Sequence, residues 1–71
     1  MEPYKSECRE IIRRFLARKL SFADSIAALD TALAGFMPIL KPGELPALRA
    51  LMFANNEIIS KEMERRGPPK R

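Results

Sequence analysis

Residues 21–40 read SFADSIAALDTALAGFMPIL, and the spacing of their apolar side chains decides the fold class. Phe22, Ile26, Leu29, Leu33, Phe36 or Met37, and Leu40 follow one another at intervals of three and four, the period of a helix with one apolar side. On an ideal wheel the large residues from Phe22 to Met37 fall within an arc of about 100°. Ser21 followed by Asp24 is a start signal, a hydroxyl placed to accept from a free amide of the first turn. Pro38 disfavours helical geometry at Met37, so the pattern predicts a helix over 22–36. Ala23, Ala27 and Ala34 flank one side of the stripe and Ala28 and Ala32 the other, which lets neighbours approach closely. This segment is therefore expected to be the central helix.

Working outward, breakers isolate a block on each side. Before it, Tyr4, Cys8, Ile11, Ile12, Phe15 and Leu16 recur at helical spacing and predict a helix over 4–19, with Pro3 tolerated near its start. Glu10 and Arg14 stand one turn apart on it, as do Glu57–Lys61 and Glu62–Arg66 further on. After it, Pro38, Pro42, Gly43 and Pro46 make a break, and a third helix is expected over 46–66, stopped by Gly67-Pro68. Leu48, Leu51, Met52, Ile58, Ile59 and Met63 are its expected core face. No segment alternates as a strand does. The prediction is an all-α, compact three-helix bundle, up-down-up with short loops, occupying 1–66 as a single domain, with 67–71 a disordered basic tail.

Composition limits the chemistry. A chain of 71 residues with 46% apolar side chains can fold, but its core is thin. A lone Cys and no His remove an internal disulfide, a zinc centre and every His-based nucleophile pair. No enzyme activity, metal or cofactor is expected. No unbroken apolar stretch approaches a membrane span, so no membrane partner is expected, and an unpaired Cys8 suits a reducing, cytoplasmic setting.

Three features point towards binding. Phe53 lies nearly opposite the Leu48/Leu51/Ile59 side of the third helix, beside Arg49, Asn56, Glu57 and Ser60, and an exposed aromatic among polar residues is an interface anchor. These five residues are the candidate protein interface, and a homodimer formed through the third helix is the expected assembly, another protein being the other partner considered. Asn55 falls within the apolar side. It is a candidate register-setting polar group, bonded to a symmetry mate, or else an amide satisfied by a backbone carbonyl, Asp30 or a Ser. Charge supplies the alternative. Residues 1–20 carry +3, 21–40 carry −2 and 41–71 carry +3, for a net +4. Lys5, Arg9 and Arg13 with Arg65, Arg66, Lys70 and Arg71 are the candidate phosphate contacts of a small nucleic-acid-associated protein. Mixed signs on both basic helices, and the acidic charge of the middle one, weigh against a groove-reading helix.

Overall fold

A computed structural model describes residues 1–67 of the chain. Its elements are α1 (Glu2–Leu16), α2 (Phe22–Phe36), two single 3₁₀ turns at Met37–Ile39 and Pro42–Glu44, and α3 (Leu45–Arg66), with no strand among the described residues. Three contacts fix the topology. The Tyr4 ring at the start of α1 stacks on Phe36 at the end of α2, centroids 4.9 Å apart and 8° from parallel. The Met1 amino group lies 3.6 Å from Glu44, just before α3, and Arg66 at the end of α3 reaches the Phe15 carbonyl at the end of α1. Hence α2 runs against α1 and α3 runs with it: an up-down-up three-helix fold. Residues 68–71 of the expected tail lie outside the described residues.

Local chemistry explains the boundaries. The Ser21 hydroxyl accepts from the Asp24 amide at 3.0 Å and caps α2. Gly67, at φ 80°, closes α3, its amide donating to the Met63 and Glu64 carbonyls. The end of α1 departs from expectation: the helix stops at Leu16 rather than Lys19. Arg18 takes φ 63°, its amide donates to Phe15 and that of Lys19 to Arg14 at 2.8 Å. This is the double bond of a left-handed C-cap, built here without the glycine that usually supports it.

The identity of the central helix is also corrected. It is α1, which packs on both neighbours, whereas α2 and α3 touch each other little. One core cluster joins Tyr4, Cys8 and Ile11 to Ala32, Phe36 and Leu48; the other joins Ile12 and Phe15 to Ile59. On α2 the buried side carries Ser25, Ala32 and Phe36, rotated from the predicted stripe towards its small shoulder. Phe36 of the predicted stripe is buried and Ile26, Leu29 and Leu33 pack, partly covered, against the two clusters, while the small Ala32 lets Tyr4, Cys8 and Ile11 of α1 approach closely. Ser25 tolerates complete burial because its hydroxyl donates to the Ser21 carbonyl at 2.8 Å. Phe22 and Met37 are left almost half exposed.

The buried line of α3 is likewise narrower than predicted: Leu48, Asn55, Ile59 and Glu62 are covered, Leu51 and Met63 are partly covered, and Met52 and Ile58 are exposed at its two edges. The covered four span only about 60° of the wheel. Phe22–Ile39 is also apolar and long enough to cross a membrane by length and composition, with mean hydropathy 1.3 and 22% of it buried. The expectation of no such stretch weighed unbroken apolar runs, and Asp24 and Asp30 interrupt this one.

Candidate functional site

Arg49, Phe53, Asn56 and Ser60 are spaced four, three and four along α3 and are all exposed, the Phe53 ring at 71%. Glu57 sits beside them, drawn to Lys61 at 3.8 Å. The surface continues from Phe53 to Met52, and from there to the seam with α2. Ile26, Leu29 and Met63 pack there against the second core cluster. Met52 lies three turns before Met63 on one side of α3, and Phe22 one turn before Ile26 on one side of α2. Leu45, Met52 and Phe53 form an exposed apolar rim on α3, and Phe22 is exposed separately where α2 begins.

Asn55 does not join that face. Two residues from Phe53, it points about 200° around the helix and is 8% exposed. It borders a groove between α1 and α3 together with Lys5, Cys8, Arg9 and Ile12. Neither Asp30, a Ser, nor a backbone carbonyl bonds its side chain among the described residues.

The candidate phosphate contacts do not converge. Lys5 lies 3.5 Å from Glu2. Arg13 is held by Glu10, which also takes Arg14 at 3.0 Å. Arg65 and Arg66 both bind Glu62 at 2.7 Å. Arg9 alone of the described five has no carboxylate within reach. Lys70 and Arg71 lie outside the described residues.

Arg66 proves to be a structural residue. Its guanidinium donates to the Phe15 carbonyl at 2.9 Å, pairs with Glu62 and lies 4.5 Å above the centre of the Phe15 ring. One side chain thereby caps the last turn of α1, stacks on its buried aromatic and neutralises a covered carboxylate. Hydrogen bonds from Arg65 and then Arg66 hold the Glu62 carboxyl at about 2. Those from Arg13 and Arg14 do the same for Glu10. Burial, followed by Cys8 and Asp30 nearby, pushes the Tyr4 hydroxyl up to about 12. The Glu62–Arg66 spacing is visible in the sequence. So is the cue that Glu62 is covered, since Leu48, Asn55 and Glu62 are spaced by sevens. The partner carbonyl, 51 residues away, is not.

Among the described residues no group of three or more Cys, Asp or Glu stands together as a metal site would require. No protein-family model, curated protein or solved structure matches the chain.

Proposed function

We propose that the protein is a small, non-enzymatic, cytoplasmic helical interaction module that pairs with a second copy of itself through α3. The Phe53 ring carries the reading: it stands 71% exposed on a regular helix, next to the exposed Met52. A three-helix core this thin gains from having its rim covered. In a two-fold contact Phe53 meets its own mate or a neighbour's Met52, with Arg49, Asn56, Glu57 and Ser60 as the polar surround. The phosphate-binding alternative draws less support, since Lys5, Arg13, Arg65 and Arg66 each already face a glutamate.

Sedimentation equilibrium on the wild-type chain and on Phe53→Asp tests the proposal. The expected outcome is a wild-type dimer and a folded, monomeric variant. A wild-type chain that stays monomeric at high micromolar concentration overturns it. Monomers that co-sediment with lipid vesicles would identify the occupant of the rim as a bilayer instead.

A further inference from the structure

On the other flank of α3, away from Met52, an open α1–α3 groove offers about 200 Å³. Cys8 and Ile12 of α1 and Leu51 and Ile58 of α3 make it apolar, while Lys5 and Arg9 stand along its α1 edge. Past Lys5 and Leu51 it opens into a second recess beside Met1, Ala47 and Ala50, with Glu2 at its edge paired to Lys5.

Two polar groups in this groove lack partners. Asn55 is more than nine-tenths buried, yet its amide makes no hydrogen bond among the described residues. None of its polar atoms is sealed from solvent, so the amide opens onto the groove it lines. An amide so placed has only water to bond in the free protein and offers its donors and its acceptor to a ligand. Arg9 has no carboxylate within 4.0 Å among the described residues, in contrast to Arg13, Arg14, Arg65 and Arg66. Lys5 is partly neutralised by Glu2 at 3.5 Å, so the groove's edge carries a net charge of one positive unit.

We propose that the groove binds an acyl carboxylate, a singly charged head on an apolar chain. The head lies between the Arg9 guanidinium, whose fork matches a carboxylate with two parallel N–H bonds, and the Asn55 amide, which donates a third. The chain runs over Cys8 and Leu51 towards Ala47 and Ala50, covered on one side by the aliphatic stem of Lys5. A doubly charged phosphate head would leave one negative charge unmatched. An amphipathic cation would meet Arg9 and Lys5 with the wrong sign. This site stands apart from the Phe53 face, so it holds whether or not the chain pairs.

Calorimetric titration of the full chain with sodium decanoate tests it. One saturable site per chain is expected. Arg9→Gln and Asn55→Leu each weaken binding at least tenfold, Ala54→Trp abolishes it by filling the groove, and Arg18→Gln, an equal loss of charge elsewhere, leaves it unchanged. Circular dichroism melts establish that each variant is folded. Asn55→Leu, which removes the unbonded amide, keeps the test valid if Arg9→Gln does not fold. Absence of a saturable heat overturns the proposal. So does undiminished affinity in both folded head-group variants, or equal affinity for decyltrimethylammonium, which would indicate apolar uptake with no anion recognition.

Discussion

The α1–α3 contact treats the same residue types in opposite ways at two places. At its far end Glu62, Arg65, Arg66 and the Phe15 carbonyl satisfy one another, and the Arg66 guanidinium is folded down onto an aromatic ring. About two turns nearer the start of α1, Arg9 and Asn55 border a groove, with no side-chain hydrogen bond or ion pair to either among the described residues. The first arrangement is closed and holds the fold; the second is open and available to a ligand. The difference teaches that net charge does not measure binding capacity. A pI near 9.7 counts Arg9 and Arg66 alike, although the second is already engaged by Glu62 and the Phe15 carbonyl.

If the closed end holds the fold, the largest effect should come from Phe15, which is fully buried beneath the Arg66 guanidinium. Phe15→Ala removes a core aromatic and the stacking surface together and should cost about 3–5 kcal/mol. That is comparable to all the stability a domain of this size is expected to have, so thermal circular dichroism should show a largely unfolded chain. A variant melting within a few degrees of wild type would show that the second core cluster contributes little.

Acid should discriminate between the two kinds of glutamate. Glu62 is held at about 2 rather than the ordinary 4.5, a lowered folded-state value. Its contribution is therefore complete above about pH 4.5 and disappears as pH falls through about 2. Glu10 is shifted in the same direction, but its pairs with Arg13 and Arg14 are exposed on both sides, so solvent screens them. Melting temperature followed downward through this window should fall in the wild type. The fall should flatten in Glu62→Gln and stay nearly intact in Glu10→Gln. Equal slopes in all three proteins would mean that the covered carboxylate is no more important than the exposed one.

These contrasts also mark what sequence reading reaches. Helix number, the Ser21 cap, the Gly67 stop and the outward turn of Phe53 are all local, set by backbone chemistry within a few residues or by the 3.6-residue period. The buried side of α2 is not local. Its wheel assigns the core to the stripe from Phe22 to Met37; Phe36 is buried and Ile26, Leu29 and Leu33 pack against the clusters, but Ser25 and Ala32 are covered as well while Phe22 and Met37 stay exposed, and no count made on α2 alone contains that information. Arg66 fails to announce its role for the same reason: its glutamate is four residues away and legible, whereas its carbonyl and aromatic partners are on another helix. Asn55 was legible as a covered amide. That it borders Arg9 across a groove depends on how closely α1 and α3 lie.

The smallest expected effect concerns the turn beside the closed end. Arg18 adopts φ 63° in a cap where a side chain crowds the following carbonyl, at a cost of about 1–2 kcal/mol. Glycine relieves that crowding but makes the unfolded chain more flexible, which returns part of the gain. The net result for Arg18→Gly should be a stabilisation of about 0.5–1 kcal/mol, a rise of a few degrees in melting temperature for a domain of this length. The cap bonds come from the Arg18 and Lys19 amides, so the substitution removes none of them, and the Arg66 bond to Phe15 is untouched. A loss of stability would mean that the Arg18 side chain itself supports the end of α1, and that the closed end extends beyond the cluster around Phe15.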